Sequence, residues 1–124
     1  MIIVALILAI DDARTMRELV RSILESEGHT VFTADDGVTG EQLAKEHKAD
    51  LVVTDLHMDE MDGITLTANL RKLADYKSTP ILMLTTEISD DKKADSRNAG
   101  ASGWLNKPFS PPRLISAVNK LLDR

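Results

Sequence analysis

Short apolar runs alternate with segments of helical spacing along the whole of this chain, and few folds satisfy that order. The runs cover residues 2–10, 30–33, 50–54, 80–85 and 103–105. Between the first two, Met16, Leu19, Val20, Ile23 and Leu24 repeat at helical intervals, and Gly28 is placed to end that helix. Val38, Leu43, Ala44 and His47 suggest a second helix, and Leu66, Leu70 and Leu73 a third. The last helix is the clearest. Ser110 can cap it, Pro111 suits its first position, and Leu114, Ala117, Val118, Leu121 and Leu122 form one stripe. The fourth, from about residue 89 to 99, has almost no apolar stripe. It reads as a solvated surface helix or as an element that buries little and shifts cheaply.

Strand–helix alternation of this kind implies an α/β domain, doubly wound, with a parallel sheet covered by helices on both faces. At 124 residues the chain fits one such domain, 1–124, and no linker or low-complexity tract marks an output domain. The opening apolar run is longer than one buried strand needs. It lacks a basic flank, two aspartates follow it, and it falls far short of the roughly 20 residues that span a bilayer. No membrane insertion is expected, and a cytoplasmic location is. Fifteen basic against 20 acidic side chains argue against direct nucleic-acid binding. The absence of cysteine removes disulfides and thiolate metal sites.

In open α/β sheets, ligands bind beyond the carboxyl ends of the strands. There the first run ends in Asp11-Asp12, the third in Asp55, the fourth in Thr85-Thr86, and the fifth in Lys107-Pro108. Singly, each has an ordinary explanation: a helix cap for Asp12, turn chemistry for Thr85, a surface ammonium for Lys107. Together they place three carboxylates, a hydroxyl and an ammonium on one rim. Crowded carboxylates repel unless a cation intervenes, and Mg²⁺ suits few carboxylates plus phosphate oxygens. A phosphoryl group between the metal and Thr85 and Lys107 would use all five residues, with Asp55 as nucleophile.

Those residues and their neighbours resemble the response-regulator receiver family. The resemblance is carried by Ala9-Ile10-Asp11-Asp12, Val53-Thr54-Asp55, Met61-Asp62-Gly63, Leu82-Met83-Leu84-Thr85-Thr86-Glu87, and the segment from Gly100 through Trp104 and Lys107 to Phe109. It implies a flavodoxin-like receiver fold with five strands in the order 2-1-3-4-5. It implies that Asp55 is the phosphoacceptor. Mg²⁺ would be held by Asp12, Asp55 and the backbone carbonyl of His57, with Asp11 assisting mostly through water. Thr85 would bond the phosphoryl oxygens, Lys107 would pair with them, and the Lys107–Pro108 bond would be cis.

The implied phospho-donor is a sensor histidine kinase or its phosphotransfer domain, with a small acyl phosphate able to substitute. Phosphorylation would draw Thr85 inward, make room for Trp104, and change the face of the fourth helix, fifth strand and fifth helix. Thr15-Met16-Arg17 adds a likeness to stand-alone chemotaxis members in the first helix. With no output domain expected, the changed face would act on a separate output protein, for which the chemotaxis resemblance implies a flagellar switch component, and a monomer is expected. Such a chain is not an enzyme beyond promoting its own phosphorylation and dephosphorylation. A phosphorelay carrier and a kinase-regulating receiver remain open within the family. A haloacid-dehalogenase-type phosphatase would need Asp-x-Asp after the first strand, which Asp11-Asp12-Ala13 does not supply. A flavin binder would need a Ser/Thr/Gly-rich loop, which is also missing.

The chain departs from the family at three places. Asp59 stands where many relatives have proline, which should loosen that loop. His57 replaces commoner residues such as asparagine; the resemblance implies that its position and that of Glu87 border the phosphoryl group and tune its hydrolysis, while His57 also reads as a solvated bystander. Trp104 stands where relatives carry Tyr or Phe, either as a switch or as a packing side chain.

Overall fold

The computed structural model describes residues 4–123. Strands β1 (Leu6–Ile10), β2 (Thr30–Ala34), β3 (Leu51–Asp55), β4 (Ile81–Thr85) and β5 (Gly103–Asn106) alternate with helices α1 (Arg14–Ser26), α2 (Gly37–Glu46), α3 (Gly63–Arg71), α4 (Asp90–Ala99) and α5 (Pro111–Leu122). All neighbouring strands run parallel, in the order β2-β1-β3-β4-β5. The expected fold class and strand order are both present.

The sheet divides the core into two layers because successive strand residues point to opposite faces. Ile7, Ala9, Leu51, Val53, Leu82 and Leu84 face Val20, Ile23 and Leu24 of α1 and Leu114 and Val118 of α5. On the other face, Leu8, Ile10, Val52 and Ile81 pack with Ala44 of α2, Leu66 and Leu70 of α3, and Tyr76. At the amino ends of the strands, Tyr76 is buried and its hydroxyl donates towards the carbonyls of Ala44 and His47 while accepting from the Ala49 N–H. Beside it, the Arg71 guanidinium donates to the carbonyls of Gly100, Tyr76 and Thr79.

Several sequence expectations shift for local reasons. Residues 2 and 3 of the first run lie outside the described residues. The strand itself begins at Leu6, where its partner β2 begins at Thr30, and Val4 is 62% exposed. Leu19 is 43% exposed, because the buried stripe of α1 is centred on Val20, Ile23 and Leu24, about a quarter turn away. Val38 is 50% exposed as well. Helix α2 buries small residues instead, and a Cβ at Gly40 would meet Ile10 at 2.9 Å. Leu73 lies beyond the end of α3 and His47 caps α2, with its ring 4.5 Å from that of Phe32. Ser110 occupies the N-cap of α5 without a side-chain bond. Pro111 and Pro112 have no N–H to offer it, and the Arg113 N–H goes to the Ser110 carbonyl. Helix α4 forms as expected, and Ser96 is its one buried residue. Ser89 caps it by accepting from the Lys92 N–H.

Candidate functional site

The parallel strands deliver Asp11, Asp55, Thr85 and Lys107 to one rim because each follows or ends a strand at the same edge of the sheet. Asp11 comes directly after β1, is buried, and donates its N–H to the Ala34 carbonyl. Both of its carboxylate oxygens are engaged: Oδ1 accepts from the Ala13 N–H at 2.9 Å and Oδ2 from Lys107 Nζ at 2.8 Å. Asp55 ends β3. Its Oδ1 accepts from the Leu56 N–H at 2.8 Å, and its Oδ2 lies 3.4 Å from the same Lys107 Nζ. Lys107 reaches both acids because its N–H bonds the Thr85 carbonyl at 2.9 Å, which fixes the chain leaving β5 beside the end of β4. The Lys107–Pro108 bond is cis, as expected.

Asp12 is exposed and contributes the third carboxylate. Asp11, Asp12 and Asp55 each offer an oxygen within 4.8 Å of the others. This donor set fits a hard divalent cation, being all oxygen and crowded with like charge. Asp11 already spends both oxygens on Ala13 and Lys107, so direct ligation falls to Asp12 and Asp55. Burial raises the Asp55 pKa above the usual carboxylate value and nearby Asp11 adds to this, while Lys107 and the Leu56 N–H oppose it.

Close packing behind Asp55 explains Gly63. Its N–H donates to the Leu56 carbonyl, and a Cβ there would overlap the Asp55 carbonyl oxygen and crowd Met83 Sδ. The intervening loop contains a tight turn at the position of Asp59. The Met61 N–H closes onto the Asp59 carbonyl at 2.8 Å, with Glu60 between them at φ 66. That three-residue closure is a γ-type turn, uncommon for a side chain larger than glycine.

Thr85 is fully buried, and its Oγ1 accepts from the Glu87 N–H at 3.0 Å. At the mouth of the site, His57 Nε2 lies 3.0 Å from Glu87 Oε1, joining the loops after β3 and β4. The hydrogen bond from His57, with the Ser89 N–H, lowers the Glu87 pKa below its usual value. Trp104 sits on β5 paired with Met83, and Lys93 Nζ lies 5.7 Å from its ring centroid. Its indole Nε1 and the Ser96 Oγ are buried without partners.

Sequence reasoning thus brought the acids, Thr85 and Lys107 together correctly, and it named His57 and Glu87 as neighbours without their direct contact. It assigned nothing to Arg17, whose Nη1 donates to the Asp11 carbonyl at 2.7 Å. The available signal was a basic residue one turn beyond Ala13, a cap position with no polar side chain.

Residues 7–119 match the family described as the response regulator receiver domain. Chemotaxis protein CheY-3 of Vibrio cholerae is 36% identical over 119 residues, covering 95% of this chain and 92% of that one. Transcriptional regulatory protein SrrA of Staphylococcus aureus is 35% identical over 118 residues, and the chain spans 48% of that longer protein. Among solved structures, chemotaxis protein CheY4 of Vibrio cholerae superposes with a TM-score of 0.93 at 38% identity, covering 96% of this chain and 99% of that one. No helix among the described residues is long and apolar enough to cross a membrane.

Proposed function

This chain belongs to the response regulator receiver family, and from that premise we propose that it is a phosphorylatable switch of a two-component system whose acceptor is Asp55. The observation that carries the reading is the position of the Asp55 carboxylate, within 4.8 Å of oxygens of Asp11 and Asp12 and 3.4 Å from the ammonium of Lys107.

In the proposed step, an Asp55 carboxylate oxygen attacks a phosphohistidine phosphorus of a sensor kinase or phosphotransfer domain. The new O–P bond replaces the N–P bond, and the histidine nitrogen leaves with the electron pair. Asp12, Asp55 and the His57 carbonyl would hold Mg²⁺, which supplies neutralisation of the acids and of the transferring oxygens. Lys107 offsets charge on the phosphoryl group, exchanging its bond to Asp11 for one to the new oxygens. Thr85 already accepts from Glu87, so its hydroxyl hydrogen remains available to donate to a phosphoryl oxygen. The chain is no enzyme towards other substrates in this reading; it promotes only its own phosphorylation and the loss of that group.

The output is a changed α4–β5–α5 face that binds a separate partner. A groove of about 820 Å³ along β5 and α5, lined by Trp104, Leu105, Arg113, Ser116 and Lys120, offers room for it. The likeness to chemotaxis proteins favours a flagellar switch component as that partner. Across the rim, the His57–Glu87 pair joins the loops that follow the acceptor and Thr85, and it would tune dephosphorylation. Replacing His57 by Asn should change the phosphate lifetime severalfold, and an unchanged lifetime would remove that role.

The central test is intact-mass analysis after incubation with Mg²⁺ and a small acyl phosphate. Wild type should gain one phosphoryl group and Asp55→Asn none. An adduct equally abundant in the variant overturns the assignment.

A further inference from the structure

We infer that Arg17 is the positioning residue of the cation-binding loop, setting where Asp12 stands; this rests on the reading of Asp12 and Asp55 as Mg²⁺ ligands. The loop between β1 and α1 is three residues long, Asp11, Asp12 and Ala13. Asp11 Oδ1 accepts from the Ala13 N–H and so fixes the peptide that follows Asp12, but the loop has no side-chain helix cap. Ala13 is the N-cap of α1 and has no side chain to bond the first turn, and that turn contains no acid. Asp12 is exposed, and its carboxylate makes no hydrogen bond or ion pair among the described residues. A ligand in that state is free to coordinate but is not held by its own side chain.

Its backbone is held on one side by the Asp11 carboxylate, through the Ala13 N–H, and on the other by the Arg17 side chain. Arg17 Nη1 donates to the Asp11 carbonyl at 2.7 Å, whereas the Arg17 N–H to the Ala13 carbonyl at 2.9 Å is the first hydrogen bond of α1 and does not depend on that side chain. The Asp11 carbonyl shares a rigid peptide plane with the Asp12 N–H, so fixing that oxygen limits where the Asp12 Cα can stand. The side-chain contact is charge-assisted, which makes it stronger than a neutral bond of the same length. The Asp11 carboxylate cannot also hold the peptide before Asp12, because both its oxygens are already committed to Ala13 and Lys107.

The charge on Arg17 gives the inference a sign. As a nearby cation it would repel Mg²⁺, so a role limited to charge predicts tighter binding when Arg17 is removed. Positioning predicts weaker binding, as when a group that orients a metal ligand is lost. Calorimetric titration of the full chain with MgCl₂, run beside thermal melts, separates them. Arg17→Ala should weaken Mg²⁺ binding about tenfold. Arg17→Lys, which keeps the charge and one donor within reach, should recover part of the loss. Unchanged or tighter binding by folded Arg17→Ala overturns the inference, even where its melting temperature falls. If Arg17→Ala does not fold, Arg17→Lys and Arg17→Gln decide: both weaker than wild type supports it, and wild-type affinity in Arg17→Gln overturns it. A wild-type chain that binds no Mg²⁺ instead overturns the ligand assignment of Asp12 and Asp55, a result distinct from any difference among variants.

Discussion

The two ends of the sheet treat polar groups in opposite ways. At the amino end, Tyr76 and Arg71 are satisfied by fixed backbone partners: the Tyr76 hydroxyl serves three groups and the Arg71 guanidinium three carbonyls. At the carboxyl end, three carboxylates crowd within 4.8 Å, and one ammonium bridges two of them. The first arrangement has nothing left to gain from a ligand. The second is relieved by one, so the end that steadies the fold and the end that responds to chemistry are separated by the length of a strand.

Substitutions at the two ends should therefore move stability in opposite directions. The largest loss is expected for Arg71→Met, which strands the carbonyls of Gly100, Tyr76 and Thr79; about 3 kcal/mol should disappear from chemical unfolding. Tyr76→Phe should follow at about 2 kcal/mol, since its ring still packs while the Ala49 N–H loses its acceptor.

The same tyrosine sharpens the contrast with pH. Burial raises its pKa above the ordinary value, so the folded state favours the neutral hydroxyl. That contribution is complete below the unfolded pKa, near 10, and is lost as pH rises through the higher folded value. Melts at increasingly alkaline pH should show Tyr76→Phe approaching wild type. At the rim the sign reverses. Asp55→Asn removes a half-buried charge facing Asp11, so without divalent cations it should melt above wild type, by less than either loss above. A lower melting temperature would mean that the rim steadies the fold after all. Least of all, Leu19→Glu on the exposed side of α1 should stay within about 0.5 kcal/mol of wild type in the same unfolding assay.

The rim was legible because parallel strands convert position in sequence into position in space. A polar residue directly after an apolar run must emerge at the carboxyl edge, and Asp11, Asp55, Thr85 and Lys107 all do. What the sequence hid depends on reach or on the absence of a side chain. Arg17 meets Asp11 by folding back from its helix, and His57 meets Glu87 across two loops, neither of which periodicity encodes. Val38 promised burial by its hydrophobicity, yet Gly40 sets how closely α2 lies on the sheet and Gly37 how closely it meets Met61, and Val38 is left outside. Ser110 had the residue type of a cap, yet Pro112 lacks one of the donors a cap would serve and the Arg113 N–H goes to the Ser110 carbonyl instead.

Helix α4 is tied down mainly at its ends. Ser89 and Glu87 hold its first turn, Arg71 holds the Gly100 carbonyl just past its last, and along its span Ser96 is the one residue sealed against the body. In mechanical terms it is a beam pinned at both ends by hydrogen bonds, with a span that rests on half-buried Lys92, Lys93, Ala94 and Ala99. Rolling about its long axis disturbs that packing, whereas lifting either end breaks hydrogen bonds. A tug on Glu87 from the rim would therefore reach the outer surface as torsion rather than as unwinding.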